Sequence, residues 1–124
     1  MEFIHSTKAP AAIGPYSQAV RAGELIFISG QLPVVPVVNE LINDPEKATA
    51  TILKNAEAIL NEVGLTLNHI VKVNIYLKKM KDFDIVNKAY AEIFGDHKPA
   101  RACIEVSQLP KSAIMEMDFV AAID

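Results

Sequence analysis

Apolar residues recur along this chain at two spacings, one helical and one strand-like, and these spacings define the predicted elements. Helical spacing first covers residues 44–64, where one face carries apolar positions: Ala48, Ile52, Leu53, Ala56, Ile59, Leu60 and Val63. Asp44, Pro45 and Glu46 suit the start of a helix, and Gly64 suits its end. A second helix is predicted for residues 82–95, begun by Asp82 and carrying Phe83, Val86, Tyr90 and Phe94 in one apolar stripe.

Strand-like alternation marks most of the remaining chain. Residues 17–21 and 24–30 are rich in branched and aromatic side chains, and the short link between them predicts a β-hairpin. Residues 33–42 contain two prolines, which favour an edge strand or a loose hairpin. Residues 69–79 alternate with Val71, Val73, Ile75 and Leu77 on one face, and residues 114–123 alternate with Met115, Met117, Phe119 and Ala121 on one face.

The segment between Lys98 and Pro110 predicts another strand, with a cation in an unusual place. Because successive strand residues face opposite sides of a sheet, Ala102, Ile104 and Val106 share one face, which we expect to be core. The other face carries Arg101, Cys103, Glu105 and Ser107. A guanidinium beside a thiol suits a half-buried pocket that receives an anion.

Together these elements predict one α+β domain spanning residues 1–124: a mixed sheet of roughly six strands with two helices on one face. A length of 124 residues fits one domain with its own core. The helices leave the other sheet face uncovered, and its mixture of apolar and polar side chains needs burial, most simply against further copies of the chain.

Composition narrows the class of protein. The net charge is -3 and the pI is near 5.6, which argues against the basic surface of a nucleic-acid-binding protein. A single cysteine rules out an internal disulfide, and no sequence spacing typical of a metal site is present. The amino terminus has no apolar signal-peptide core, and no apolar run approaches membrane-spanning length, so we expect a soluble cytoplasmic protein.

Four motifs carry a resemblance to a known family. They are residues 11–19 (AAIGPYSQA), 29–33 (SGQLP), 84–90 (DIVNKAY) and 98–110 (KPARACIEVSQLP). In this order, over nearly the whole chain, they resemble the RidA branch of the Rid (YjgF) family. The resemblance implies a chorismate-mutase-like fold and a homotrimer with active sites between subunits. It also implies hydrolysis of reactive 2-imino acids, such as 2-iminobutanoate and 2-iminopropanoate from pyridoxal-phosphate-dependent dehydratases, to 2-oxo acids and ammonia, with no cofactor.

Arg101 and Glu116 are the principal candidates for chemistry. Composition alone leaves Arg101 equally suited to a surface ion pair with Glu105 or Glu116, whereas the resemblance implies that it binds the substrate carboxylate. Glu116 lies among methionine, isoleucine and phenylalanine, where a carboxylate is either paired with a cation or reserved for acid/base work. The resemblance implies that Glu116 orients and activates the hydrolytic water.

Four further residues complete the candidate site. Cys103 has no evident base among the three histidines, so we interpret it as pocket-lining and not as a nucleophile. Tyr16 either packs a turn or donates its phenol to substrate or water. Ser29 and Asn87 match family positions near the site, although a strand-end serine and a helix asparagine are commonplace.

Two other classes of function stay open at this stage. A ligand-sensing or chaperone-like trimer would use the same carboxylate pocket without turnover. Some relatives carry an endoribonuclease or translation-inhibitor label. The acidic balance and the lack of a histidine-based acid/base pair argue against that activity here.

Overall fold

The computed structural model describes residues 1–123, which form a six-stranded sheet, a small separate hairpin and two helices. In chain order the strands are β1 (Glu2–Ile4), β2 (Ala19–Ala22), β3 (Leu25–Gln31), β4 (Val34–Val35), β5 (Glu40–Leu41), β6 (Ile70–Leu77), β7 (Ala100–Glu105) and β8 (Met115–Ala122). The sheet order is β1-β2-β3-β8-β6-β7, with β6 and β7 parallel and every other neighbouring pair antiparallel. This confirms the predicted α+β class and the mixed sheet.

Both predicted helices are present: α1 (Pro45–Asn61) and α2 (Phe83–Phe94). The Asp44 carboxylate accepts a hydrogen bond from the backbone N–H of Lys47 at 2.9 Å, which satisfies one of the free donors at the start of α1. Asp82 precedes α2 as predicted, but its side chain forms no capping hydrogen bond, because a short 3-10 turn at residues 80–82 leads into the helix. No helix in residues 1–123 is long and apolar enough to cross a membrane.

The core lies between the helices and one face of the sheet. The predicted helix faces and the inward positions of β8 meet there, and their side chains are almost fully buried: Ile52, Leu53, Ile59, Leu60, Val86, Met115, Met117, Phe119 and Ala121. β8 lies between β3 and β6 and is the most enclosed strand of the sheet. Its alternate residues, Glu116 among them, therefore face the side that no helix covers.

The uncovered face is unusually apolar for a surface. Phe3 is 70% exposed, Ile104 51%, Phe27 46% and Leu25 40%. Single exposed apolar side chains are normal, whereas a group of them on one sheet face is typical of an interaction surface. We call this surface the open face.

The prediction that Ala102, Ile104 and Val106 face the core is wrong. Ala102 and Ile104 are exposed, whereas Cys103 packs against the buried core cluster. The physical reason is that β7 is an edge strand whose apolar side belongs to the open face, so alternation alone does not tell which side the helices cover. The prediction that Arg101 and Cys103 share a face is consistent with the register, since they stand opposite Val73 and Ile75 of β6.

Two smaller departures come from local register and length. Val71 was expected in the core with Val73, but it is 44% exposed and Ile70 is buried instead, because the pairing of β6 with β8 shifts between Ile70 and Lys72. The polar amino terminus was not predicted to form a strand, yet β1 pairs with β2 at the outer edge of the sheet. Its three residues are too few to show a periodic pattern.

Candidate active site

Arg101 lies near the start of the edge strand β7, on the side that faces α2. Its guanidinium carbon is 4.8 Å from the centre of the Tyr90 ring and 5.8 Å from that of Phe83, both contributed by α2. The Glu105 carboxylate instead accepts a hydrogen bond from the backbone N–H of Met80 at 2.7 Å. Arg101 is therefore an exposed cation backed by aromatic rings, and its fork of donors is presented to whatever approaches the strand edge.

Cys103 and Asn87 lie near Arg101. Cys103 follows two residues later on the same side of β7, and Asn87 joins Arg101 in lining a shallow cleft of about 280 Å³ beside α2. Burial raises the pKa of the Cys103 thiol, and the positive charge of Arg101 only partly opposes this shift. The thiol is therefore protonated at neutral pH, which suits a wall of the pocket better than a nucleophile.

Glu116 occupies the middle of the sheet on the open face. It is partly buried, and its carboxylate lies directly over Gly30 of β3: a Cβ added at Gly30 would be 2.9 Å from the Glu116 Cδ. A larger residue at position 30 would therefore displace the Glu116 carboxylate from its place. Burial, and secondarily the charge of Asp118, raises the pKa of Glu116 above its usual value.

Asp118 is held by its own hydrogen bonds. Asn74 donates to one carboxylate oxygen and the Tyr76 hydroxyl donates to the other, each at 2.8 Å. The hydrogen bond to Asp118 is also the main reason that the pKa of Tyr76 is raised. Asp118 is therefore a fixed negative charge two residues from Glu116 on the same face of β8.

Tyr16 and Ser29 lie near Gly30, the residue against which Glu116 packs. Tyr16 is 53% exposed and lines a cleft of about 350 Å³ together with Gly30, the 10–13 segment and Lys111. Ser29 directly precedes Gly30, and its hydroxyl donates to the carbonyl of Ser17 at 2.6 Å. This bond links the end of β3 to the segment that carries Tyr16.

Sequence reasoning missed the residue that anchors this segment. The buried Gln18 side chain accepts from the backbone N–H of Ser6 at 2.6 Å and donates to the carbonyls of Ser6 and Pro10. These bonds hold the 6–10 segment against β2, next to the cleft that Tyr16 lines. The glutamine residue type gives no signal of burial, and only its place within the AAIGPYSQA motif pointed to a role for Gln18 near the site.

Within one chain the candidate residues form two separate groups. Register places Arg101 opposite Val73, Val73 opposite Phe119, and Phe119 three residues from Glu116. The strand spacings put the Cα atoms of Arg101 and Glu116 about 14 Å apart. Their side chains also leave opposite faces of the sheet. Arg101, Cys103 and Asn87 form the arginine half-site, and Tyr16, Ser29, Gly30 and Glu116 form the glutamate half-site.

The side chains of residues 1–123 include no group of three or more histidine, cysteine, aspartate or glutamate residues arranged to hold a metal ion. The ionisable groups of the two half-sites are the Arg101 guanidinium, the Cys103 thiol, the Glu116 carboxylate and the Tyr16 phenol. Such groups can bind a carboxylate, transfer a proton and orient water.

Comparison with known proteins supplies the family. The family model described as Endoribonuclease L-PSP matches residues 6–123. A RutC family protein of Pyrococcus abyssi is 46% identical over 121 residues, covering 97% of this chain and 95% of the relative. TdcF of Escherichia coli, provisionally named a reactive intermediate deaminase, is 35% identical over 123 residues, with coverage of 97% and 95%.

Solved structures agree with these matches. A Thermotoga maritima protein described as a candidate endoribonuclease superposes with a TM-score of 0.96 at 42% identity, covering 100% of this chain and 98% of that one. Escherichia coli TdcF with bound serine gives 0.94 at 34% identity, covering 98% of each chain. RidA from an Antarctic Psychrobacter gives 0.95 at 36% identity, covering 99% and 100%. The chain belongs to the Endoribonuclease L-PSP family, which includes the YjgF and Rid proteins.

Proposed function

We propose that this protein hydrolyses small 2-imino acids and their enamine tautomers to 2-oxo acids and ammonia. The observation that carries the proposal is Glu116, a partly buried carboxylate with a raised pKa that lies against Gly30, a residue that lines the cleft with Tyr16. A carboxylate whose pKa lies nearer to neutrality removes a proton from a water molecule more effectively than an ordinary surface glutamate does.

The arginine half-site binds the substrate carboxylate in this proposal. A guanidinium forms two parallel hydrogen bonds with a planar carboxylate, a geometry that a lysine ammonium does not reproduce. The position of Arg101 against α2 leaves its donors available at the strand edge. Serine bound to TdcF is an amino acid with the same carboxylate, and this supports the class of ligand.

The glutamate half-site delivers the water. Starting from the protonated imine, Glu116 accepts one proton of the water as the water oxygen bonds to the imine carbon, which gives a neutral carbinolamine. Glu116 then returns this proton to the nitrogen, the carbon–nitrogen bond breaks, and ammonia leaves as the hydroxyl oxygen becomes the carbonyl and passes its remaining proton back to Glu116. An imine carbon is already electrophilic, so positioning and one base suffice and the reaction needs no cofactor.

The remaining candidate residues shape the pocket and orient the substrate and the water. Tyr16 donates its phenol to the substrate or to the water, with Ser29 holding its segment in place. Cys103 forms part of the pocket wall beside Arg101, and Asn87 lines the neighbouring cleft. None of these roles requires Cys103 as a thiolate.

The two half-sites meet only if two chains combine, so we propose a homotrimer with its sites between subunits. The separation of Arg101 from Glu116 within one chain and the apolar open face both support this assembly. Pyridoxal-phosphate-dependent dehydratases release 2-imino acids, so in this proposal they are the functional partners of the protein in the cytoplasm.

The test couples the protein to a threonine dehydratase and measures 2-oxobutanoate formation in the presence of an imine trap. Wild type should raise the yield of 2-oxobutanoate. Glu116→Gln should lower turnover by roughly 100-fold or more while retaining affinity for 2-oxobutanoate, because it keeps shape but loses the base. Arg101→Lys should lose affinity for 2-oxobutanoate nearly as badly as Arg101→Ala.

Three outcomes would count against the proposal. Turnover by Glu116→Gln equal to wild type would exclude the assigned base and leave the carboxylate pocket standing. Binding of 2-oxobutanoate with no imine hydrolysis in wild type would instead indicate a sensor. Cleavage of RNA by wild type that is lost in both variants would support the endoribonuclease alternative suggested by the description of the Thermotoga relative.

A further inference from the structure

Arg101 depends on other groups to hold its fork in one orientation. It is an exposed side chain on an edge strand, and a long flexible side chain in such a place loses rotamer freedom when it binds a ligand. The Tyr90 ring centre lies 4.8 Å from its guanidinium carbon, within the range of a cation–π contact. A carboxylate that approaches the strand edge therefore meets a guanidinium already held against an aromatic ring.

Tyr90 itself is rigid. It is only 7% exposed, belongs to the core cluster, and packs against the Phe94 ring one turn later on α2, with centroids 4.5 Å apart. Phe83 also faces Arg101, but it is only partly buried and lies 5.8 Å away, at the edge of the favourable range. Tyr90 is thus the fixed surface and Arg101 the mobile group that rests on it.

The aromatic face of Tyr90 and its hydroxyl have different surroundings, since only the face contacts Arg101. The Tyr90 hydroxyl is buried, and within residues 1–123 it has no hydrogen-bond partner. A buried hydroxyl without a partner lowers stability, and phenylalanine would fill the same space without that penalty. The two properties of the side chain, its aromatic face and its hydroxyl, can therefore be separated by substitution.

We propose that Tyr90 is a positioning residue that orients Arg101 for carboxylate binding through the face of its ring. This inference rests on the proposed function, in which Arg101 binds the substrate carboxylate. In this role Tyr90 acts on binding through the guanidinium, and Glu116 delivers the water from the other half-site. Without the ring, Arg101 would still carry its charge, but its two donors would have to be ordered at the moment of binding.

The test compares three substitutions on α2 in the full-length protein. Tyr90→Leu removes the aromatic face, Tyr90→Phe keeps it and removes the hydroxyl, and Phe94→Leu is the matched control for lost aromatic packing in the same core region. Tyr90→Leu should raise the Kd of 2-oxobutanoate and the KM of imine hydrolysis roughly fivefold to tenfold. Its kcat should change much less, because Glu116 delivers the water from the other half-site.

The two companion variants separate this role from a structural one. Tyr90→Phe should keep the wild-type Kd and melt at the same or a higher temperature. Phe94→Leu should lower the melting temperature with little change in Kd. Equal Kd values for Tyr90→Leu and Phe94→Leu would overturn the proposal, as would a Tyr90→Leu variant that loses kcat but keeps its KM.

An NMR readout keeps this inference separate from the proposed function. The Arg101 side-chain Nε–H signal should be shifted by the ring current of Tyr90 in wild type and in Tyr90→Phe, and should move toward the value of a free arginine in Tyr90→Leu. An unchanged signal in Tyr90→Leu would refute the positioning role. If wild type does not bind 2-oxobutanoate, or if Arg101→Ala binds it unchanged, the proposed function fails, and this signal still decides whether Tyr90 orients Arg101.

Discussion

Glu116 shows at the residue scale how a strand position creates a useful carboxylate at the expense of stability. Its pKa is raised first by burial and then by the neighbouring charge of Asp118. In the unfolded chain neither influence acts, so the folded protein binds this proton more tightly. The resulting contribution to stability is present below the unfolded pKa and is lost as the pH rises through the folded pKa. Above the folded pKa, the ionised form of Glu116 therefore opposes folding.

The charge of Asp118 predicts a shift in pH dependence. Asp118→Asn removes the negative charge but leaves burial in place, so the pKa of Glu116 should fall part of the way toward its ordinary value. If ionised Glu116 is the base, the acid limb of the kcat/KM profile should move to lower pH. The measurement is imine hydrolysis across the acid range.

Glu105→Gln is the matched control for that experiment. Its carboxylate lies on β7 and bonds to the backbone of Met80, away from Glu116. The profile of this variant should follow the wild type. An acid limb that stays in place in Asp118→Asn would show that another group controls it.

Cys103 gives a second prediction at the same scale. Because burial raises the pKa of the thiol, little thiolate is present at neutral pH, and no reaction step should depend on it. Cys103→Ser and Cys103→Ala should keep substantial imine hydrolysis, with losses that follow thermal stability. A folded variant with no remaining activity would identify chemistry at the thiol.

At the scale of elements, patterns that repeat over many residues predicted the structure well. α1 combined a capping aspartate with four turns of helical spacing, and β8 showed strict alternation over eight residues. The apolar positions grouped on one face of each element are the ones that are buried. Short or two-sided elements were not predictable in the same way. β1 has three residues. The apolar side of β7 belongs to the open face and its side with Arg101 and Cys103 faces α2, so the neighbours of this edge strand decide which side is inward.

The hairpin of β4 and β5 carries strain that a substitution can relieve. Val37 at its tip has a φ of 73°, and the backbone N–H of Val38 donates to the carbonyl of Pro36 at 2.9 Å. This is a γ-turn with a positive φ at its central residue, a conformation that is strained for a β-branched residue and accessible to glycine. Val37→Gly should raise the free energy of unfolding by about 1 kcal/mol, after the entropy of glycine is subtracted from the strain relieved.

Urea unfolding at a fixed protein concentration measures this effect, with Val38→Gly as the control. Val38 is also exposed, but it is not among the non-glycine residues with positive φ, so glycine there should only add freedom to the unfolded chain and lower stability. If Val37→Gly is as destabilising as Val38→Gly, the tip is not strained.

At the scale of the whole molecule, the sequence motifs named the candidate residues but did not show how they are arranged. Arg101 and Glu116 are only 15 positions apart, which suggests neighbours. The sheet order instead places β6 between their strands and turns the two side chains to opposite faces. The order in which strands pair, and the sheet face toward which each side chain points, depend on long-range contacts that no local sequence pattern shows. The same arrangement makes one chain insufficient for the proposed reaction.

That insufficiency leads to a test of assembly by complementation. Arg101→Ala and Glu116→Gln chains should each be inactive alone, but in mixed trimers an Arg101 from one chain can meet a Glu116 from its neighbour. Random assembly of equal amounts should restore about one site in four. Each site needs an intact Arg101 from one chain and an intact Glu116 from its neighbour, and each is present about half of the time. The measurement is imine hydrolysis by co-expressed, doubly tagged protein, with light scattering to confirm a trimer. The two variants mixed after separate assembly serve as the control and should stay inactive. A monomer at micromolar concentration, or co-expressed protein without activity, would show that the two half-sites do not combine across subunits.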